Sequence, residues 1–219
     1  MRRVSVTGVV AVLMLGLLAG CTGGGGGTVP AESPAAPRQM TADELAYFNS
    51  DKFFNGVYIH NQFLNSLYNE PAEIDLFALF RDGIGNGRGW DKDSDAEREA
   101  QLKAYLAAIG ASEAMTGITK VTRADMNTIL LENTGIGFDQ TKKTGLDQFV
   151  YLKDYDAYYH MHGDTDYYFD PVFTSGTVQG DLWRLVHAPD WMSDGSQMIA
   201  TLRKTSDGYL FVSNQKYAA

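Results

Sequence analysis

The sequence predicts an α+β protein, in which N-terminal helices pack on a C-terminal antiparallel β-sheet arranged as a meander. Two changes in composition near residue 135 support this prediction. Glu132 is the last glutamate, and the 11 acidic residues after it are all aspartate. Because glutamate favours helices and aspartate favours turns and caps, we expect the helical part to end there. Beyond Gly135 the chain is rich in tyrosine, phenylalanine, valine and threonine, which favour strands.

Three capping motifs mark helix starts before residue 135. Residues 41–44, 94–97 and 122–125 each place a serine or threonine three positions before an acidic residue. The hydroxyl and the carboxylate at this spacing satisfy free N–H groups of a first helical turn. Gly110 and Gly135 lie where the second and third of these helices should end. Apolar spacing predicts further helices within residues 51–68 and 73–80.

Short segments rich in β-branched and aromatic residues predict the strands. These segments are 149–152, 158–162, 172–175, 177–178, 182–187, 198–202 and 209–212. Glycines between them, at Gly176, Gly180, Gly195 and Gly208, indicate hairpin turns. An antiparallel meander has one face that must be covered, and the predicted helices supply that cover.

The N-terminus has the pattern of an export signal that ends in a lipid-attachment site. Arg2 and Arg3 precede an apolar stretch of 15 residues, 4–18, which is too short to span about 30 Å of hydrocarbon. Leu18-Ala-Gly-Cys21 follows and contains the only cysteine of the chain. It resembles the lipobox of bacterial lipoproteins. The resemblance implies that Cys21 carries a diacylglycerol, that residues 1–20 are a removed signal peptide, and that the new N-terminus is acylated.

The remainder divides into a tether and one domain. Residues 21–38 contain five consecutive glycines and three prolines, a composition typical of a flexible linker. Residues 39–219 are then a single α+β domain, helical to about residue 135 and sheet after it. We expect the protein at the cell membrane, lipid-anchored and facing outside the cytoplasm.

Charge narrows the classes of partner. Removal of residues 1–20 takes away two arginines, and the remaining 16 basic and 27 acidic residues give a net charge of −11. Nucleic acids and anionic lipids bind clustered lysine and arginine, so we expect no nucleic-acid partner. The expected partners are the membrane, through the lipid, and an envelope protein, a glycan or a small ligand.

Several short motifs resemble those of a group of uncharacterised bacterial lipoproteins, and the likeness extends along most of the chain after Cys21. The motifs are Phe53-Phe-Asn-Gly56, Asn61-Gln-Phe-Leu64, Ser66-Leu-Tyr68, Pro71-Ala-Glu-Ile74 and Tyr158-Tyr-His-Met-His-Gly-Asp164. No activity is established for that group, so the resemblance implies no catalytic residues.

The densest polar and aromatic region is residues 155–173. On a strand, His160 and His162 share a face and can both present nitrogens to one metal ion, with Asp164 or Asp166 as an oxygen ligand. The same region can form a groove for a polar ligand or glycan, with tyrosines as its walls: Tyr158, Tyr159, Tyr167 and Tyr168. A third interpretation is a half-exposed strand whose histidines pair with aspartates. No cofactor is predicted, apart from a divalent metal in the first interpretation.

Other motifs are incomplete. Residues 91–95 begin like a calcium-binding loop, but Ala96 and Leu102 replace the required glycine and glutamate, so an acidic helix start is the better interpretation. The glycine-rich residues 83–89 lack the lysine of a phosphate-binding loop. No Gly-x-Ser-x-Gly motif is present. Trp90, Trp183 and Trp191 can stack on sugars, although tryptophans in a domain of this size usually pack.

The sequence therefore favours a membrane-anchored, non-enzymatic binding or interaction lipoprotein of the bacterial envelope. The alternative is a lipid-anchored, metal-dependent hydrolase that acts on envelope or extracellular polymers through residues 160–164.

The lipid anchor is directly testable. Replacing the sulfur nucleophile in Cys21→Ser should abolish incorporation of labelled fatty acid and move the protein out of the membrane fraction, because two or more acyl chains are needed for stable anchoring. Metabolic lipid labelling with cell fractionation measures both effects. Wild-type protein recovered in a detergent-free supernatant with a free thiol would contradict the prediction.

Overall fold

Two antiparallel β-sheets and a set of short helices build the protein, which confirms the α+β prediction. The computed structural model describes residues 36–55, 58–84, 89–162, 171–189 and 194–217, all of which belong to one compact unit, Pro34–Ala219. The helices in these ranges are α1 Ala42–Phe48, α2 Tyr58–Gln62, α3 Leu76–Phe80, α4 Asp95–Ile109 and α5 Arg123–Thr134. None of them is both long and apolar enough to cross a bilayer.

The strands fall into a five-stranded and a three-stranded sheet. Their bounds are β1 Arg38–Gln39, β2 Ile118–Thr122, β3 Val150–Leu152, β4 Ala157–Met161, β5 Phe173–Gln179, β6 Leu182–His187, β7 Met198–Lys204 and β8 Tyr209–Lys216. The larger sheet has the order β1-β5-β6-β7-β8, so its last four strands form the predicted meander. The smaller sheet has the order β2-β4-β3.

Two details of the predicted layout are wrong. β3 and β4 do not continue the meander, because they pair with β2 in the separate sheet. β2 itself lies in the part expected to be helical. Four of its five residues are β-branched, which favours a strand locally, whereas the composition of the whole region favours helix. The change from helical to strand-forming composition near residue 135 therefore does not mark the first strand of the chain. It marks the start of the half of the domain that contains the meander.

The capping motifs correctly locate the helix starts. Thr41 and Ser94 each accept a hydrogen bond from the backbone three residues on and complete a capping box, and Thr122 accepts one from the N–H of Asp125. Gly110 and Gly135 end α4 and α5 in the left-handed conformation. Local hydrogen bonds determine these ends, which is why the sequence alone reveals them.

The helices predicted from apolar spacing are shorter than expected. Of the described residues in 51–68, only Tyr58–Gln62 are α-helical, because Phe53 and Phe54 enter the core from a turn that the Ser50 carbonyl stabilises. Within residues 73–80, a 3-10 turn, Pro71–Glu73, comes first, and Asp75 then caps α3 through the N–H of Ala78.

Gly176 lies inside β5 and is not a turn residue, which corrects another prediction. A Cβ at this position would come 2.7 Å from the carbonyl oxygen of Arg184 and still closer to the sulfur of Met40. Glycine is therefore needed so that Met40, directly after β1, can pack on the inner face of the sheet.

Aromatic rings fill the space between the meander and the helical segments that cover it. Phe211 of β8 is at the centre, stacked on Phe63 at 4.4 Å and in ring contact with Phe53 and Phe54. Phe48 of α1 joins this cluster through ring contacts with Phe53 and Phe54. A second, smaller core lies between α4 and one face of the three-stranded sheet, with Tyr105, Ile118, Ala157 and Tyr159 buried in it.

Phe211→Ala should lower the free energy of unfolding by about 3–5 kcal/mol, because it opens a cavity where several rings meet. Leu131→Ala is the control, since that side chain is 45% exposed and should change stability by no more than about 0.5 kcal/mol. Chemical denaturation of both variants measures the difference. Equal effects would contradict the central position of Phe211.

Candidate functional site

The predicted site around β4 is only partly a surface. Alternation along the strand places Tyr158 and His160 on the face towards the main core, and Tyr159 on the face under α4. Tyr159 is fully buried, and its hydroxyl donates a hydrogen bond to Oε1 of Gln101 at 2.6 Å. It therefore packs in the smaller core and does not line a groove with Tyr158.

His160 is held between two aromatic rings. Its ring lies edge to face with Phe77 at 4.7 Å and with Phe149 at 6.1 Å. Burial lowers the pKa of His160, and electrostatic interactions with His162 and Arg81 lower it further, against a smaller opposing effect of Asp82. These surroundings favour the neutral imidazole.

His162 is paired with an acid that the sequence pattern did not reveal. Its Nε2 lies 3.1 Å from Oδ1 of Asp82, which follows α3. The backbone on either side is fixed as well, because the His162 N–H donates to the carbonyl of Gly117 at 2.7 Å and the hydroxyl of Thr116 donates to the His162 carbonyl. A histidine oriented by a carboxylate is an arrangement suited to proton transfer or to metal ligation.

The remaining predicted site residues lie outside the described residues: Cys21, Asp164, Asp166, Tyr167 and Tyr168. Within the ranges that the structure describes, no group of three or more His, Cys, Asp or Glu side chains is placed to hold a metal ion. The metal site with His160 and His162 therefore stays a prediction.

Residues 91–95 start a helix, as predicted. Ser94 caps α4, and Asp93 forms a nearly buried ion pair with Lys120 of β2, with Oδ2 2.6 Å from Nζ. Trp90 packs beside this pair and donates its indole N–H to the carbonyl of Ile118 at 2.6 Å. These contacts fasten α4 to the smaller sheet, so the aspartate and the tryptophan have a structural explanation.

Another concave surface, which we call the α1 groove, lies between α1 and the adjacent ends of three strands of the larger sheet. Its volume is about 310 Å³. Helix α1 provides one wall, and β6, the end of β7 and the start of β8 provide the other. The residues that line it are Asp43, Glu44, Tyr47, Phe48, Trp183, Lys204 and Tyr209.

An ion pair fixes one side of the α1 groove. The guanidinium of Arg38 makes two hydrogen bonds to the carboxylate of Glu44, at 2.6 and 2.8 Å, and the Thr41 N–H donates to the same carboxylate. These hydrogen bonds lower the pKa of Glu44 to about 2, and those from Arg38 have the larger effect. Glu44 is therefore ionised at any physiological pH, and Arg38 is held in one position.

Asp43 and Lys204 carry the other charges of the groove lining. Lys204 and Arg38 lie 5.4 and 5.8 Å from the centre of the Trp183 ring. No ion pair joins Asp43 or Lys204 to any other described residue. Within the described part of the chain, one acid and one ammonium group thus face the groove without a charged partner.

Three aromatic side chains supply the floor and the rim. Tyr209 lies between Trp183 at 5.5 Å and Tyr47 at 6.3 Å, and Tyr47 is 38% exposed. Burial raises the pKa of Tyr209, and Tyr47 and Glu44 raise it further, so its phenol stays protonated. The indole N–H of Trp183 is buried and meets no acceptor among the described residues, a deficit of about 1–3 kcal/mol.

Sequence reasoning identified Trp183 as a possible sugar-stacking residue but could not locate the groove. Tyr47 and Tyr209 are separated by most of the domain in sequence, and neither belongs to a motif. The register of the meander brings them together, because Lys204 pairs with Tyr209 across the last hairpin and Trp183 pairs with Leu202 one strand away.

No protein-family model matches the chain, and neither a curated protein nor a solved structure matches it. The lipobox and the likeness to uncharacterised bacterial lipoproteins therefore stay predictions.

The fourth histidine is structural and deeply buried. His187 of β6 contacts Oδ1 of Asn214 through Nε2 at 3.3 Å, and Asn214 in turn donates to the carbonyls of Leu64 and Ser66. Burial lowers the pKa of His187 to about 4. The side chain ties the covering segment to the sheet through Asn214 and is too enclosed to meet a ligand.

The buried His187 predicts acid sensitivity. Its pKa is about 4 when folded and about 6.5 when unfolded, so between these values the unfolded chain binds the extra proton. Above about pH 6.5, His187 therefore does not reduce the free energy of unfolding. As the pH drops towards 4, protonation of His187 in the unfolded chain lowers this free energy by on the order of 3 kcal/mol.

Denaturant titrations at pH 7 and pH 4 on wild type and His187→Gln measure this effect. The variant keeps a polar side chain but does not titrate, so its loss between the two pH values should be smaller than that of wild type. His60 and His160, whose pKa values burial also lowers, titrate in both proteins and cancel in the comparison. An identical pH dependence would contradict the assignment to His187.

Proposed function

We propose that the chain is a lipid-anchored, extracytoplasmic binding lipoprotein, held to the membrane by Cys21, with the α1 groove as its ligand site. The short apolar segment, the single cysteine after it and the linker composition of residues 21–38 support the anchor. The net negative charge supports a partner other than nucleic acid.

The observation that carries the binding function is the composition of the α1 groove. Pockets that bind small molecules enclose roughly 300–1,000 Å³ and combine aromatic walls with a few fixed polar groups. The α1 groove, at about 310 Å³, has aromatic walls in Tyr47, Trp183 and Tyr209 and polar groups in Asp43 and Lys204. Two further pockets beside α4 have volumes of about 200 and 370 Å³. The first is lined by one aromatic residue, Trp90, and the second by none.

The ionisation of the groove supports binding over catalysis. A general acid or base works best with a pKa near the working pH. The pKa of Glu44 is lowered to about 2, and the pKa of Tyr209 is raised. Both shifts therefore move the pKa further from neutral pH. Groups held in one protonation state are suited to constant hydrogen bonding with a ligand.

The groove also lies where the tether enters the fold. Arg38, the last residue of the predicted tether, is the first residue of β1, and it contacts both Glu44 and the Trp183 ring. A ligand held there would thus lie beside the first strand of the domain.

A metal-dependent hydrolase is the second candidate. The specific observation in its favour is the contact of His162 with Asp82 at 3.1 Å, with His160 two residues before His162. The two candidates are separated by elemental analysis of the purified protein. Stoichiometric zinc or manganese lost in a His160→Ala/His162→Ala variant would favour the hydrolase.

The binding function predicts ligand stabilisation that depends on Tyr47. At 100 times its Kd, a ligand stabilises the folded state by about 2.7 kcal/mol, which raises the melting temperature by several degrees. Fractionated envelope components should include at least one that does so for the full-length protein in lipid nanodiscs. The Tyr47→Ala variant should lose the shift.

Tyr217→Ala is the matched control. Tyr217 has the same 38% exposure as Tyr47 and lies directly after β8, outside the groove lining. It should respond like wild type. A stabilisation that survives Tyr47→Ala, or no stabilisation by any fraction, would count against the α1 groove as the ligand site.

A further inference from the structure

We propose that the α1 groove binds an uncharged saccharide unit of a glycan. The inference rests on the proposed function, since it names the chemical class of the ligand for the same groove. It follows from the charge balance of the groove, its exposed aromatic surface and an unused hydrogen-bond donor.

The charges of the groove and its rim sum to zero at neutral pH. Arg38 and Lys204 contribute two positive charges, and Asp43 and Glu44 contribute two negative charges. Arg38 and Glu44 neutralise each other through two hydrogen bonds. What remains for a ligand is one carboxylate, which accepts hydrogen bonds, and one ammonium group, which donates them.

A sugar hydroxyl can satisfy both groups, because it donates and accepts. A ligand anion that pairs with Lys204 would be exposed to the two carboxylates on α1. A ligand cation would meet Lys204 and Arg38, which already lie over the Trp183 ring at 5.4 and 5.8 Å. The groove is therefore unlike an aromatic cage for ammonium groups, in which the ring faces are free for the ligand.

The aromatic side chains match the apolar faces of a sugar ring. A pyranose presents C–H groups on its faces and hydroxyls around its edge. Tyr47 and Tyr209 each offer an apolar ring and a phenol hydroxyl, and the raised pKa of Tyr209 keeps its hydroxyl protonated. Tyr47, at 38% exposure, has ring surface left for such a contact.

Trp183 supplies the independent observation. It is 6% exposed, and its indole N–H has no acceptor among the described residues. Lys204, on its flexible side chain, covers this ring. When a sugar hydroxyl draws Lys204 away, the ring and its N–H become available to an oxygen of the ligand. The volume of about 310 Å³ suits a sugar unit with the rest of the glycan outside.

The test measures binding to the full-length protein in lipid nanodiscs, which avoids the sugar headgroups of glucoside detergents. The neutral probes are trisaccharides of N-acetylglucosamine, glucose, mannose and galactose. The charged probes are a sulfated trisaccharide, an oligogalacturonate and choline. Tryptophan fluorescence and calorimetry report binding.

At least one neutral trisaccharide should bind, and its Kd should change less than about twofold between 50 and 500 mM salt, because no net charge is paired. Tyr47→Ala and Lys204→Met should each weaken binding by about tenfold or more. Tyr217→Ala should leave the Kd within about twofold of the wild-type value.

The outcomes separate the inference from the proposed function. If only charged probes bind, and their binding is lost in Tyr47→Ala, the saccharide inference is overturned while the groove remains a ligand site. If neutral sugars bind equally well to Tyr47→Ala, the site is elsewhere and both proposals fail. If no probe binds, the saccharide inference fails, and the stabilisation of wild type by envelope fractions decides the proposed function separately.

Discussion

The fold depends on covering one face of the meander with aromatic rings. The chain has a single cysteine, so no disulfide within the chain can contribute. The helices that cover the sheet are short, and helices of this length have little stability of their own. Stacking and edge contacts of Phe53, Phe54 and Phe63 with Phe211 therefore hold the covering segment on the sheet. The capping motifs define where the helices start and end, and the packing of these rings holds the helices on the sheet.

The same packing creates the α1 groove. Phe48 at the C-terminal end of α1 is fully buried against Trp183 and Tyr209, and this fixes the distance between the helix and the strand ends. The N-terminal turn of α1 then projects past the core, and its acidic residues face Lys204 across a gap. The groove is thus a consequence of how far the helix extends beyond the rings that anchor it. Trp183 has both a structural role and a proposed binding role, because it is buried in the core and also lines the groove.

The sequence predicts features that depend on neighbours in the chain and misses those that depend on distant partners. The caps at Thr41 and Ser94 are local hydrogen bonds, so the starts of α1 and α4 were predicted correctly. The assignment of β4 to a separate sheet depends on pairing with β2, which no local pattern specifies. For the same reason the pairing of His162 with Asp82 and the approach of Tyr47 to Tyr209 required the structure.

The shortness of β1 has a mechanical consequence. β1 pairs with only two residues of β5, and Met40 adds one more hydrogen bond, to the carbonyl of Gly176. With Cys21 in the membrane, as proposed, any force on the anchor is transmitted through this small attachment before it loads the aromatic core. The Arg38–Glu44 pair lies in the same load path. Tension would therefore detach Arg38 from the rim of the groove while the sheet and its covering helices remain intact. The attachment is thus a weak link beside the proposed ligand site, and tension on the proposed anchor would alter the rim of the α1 groove first.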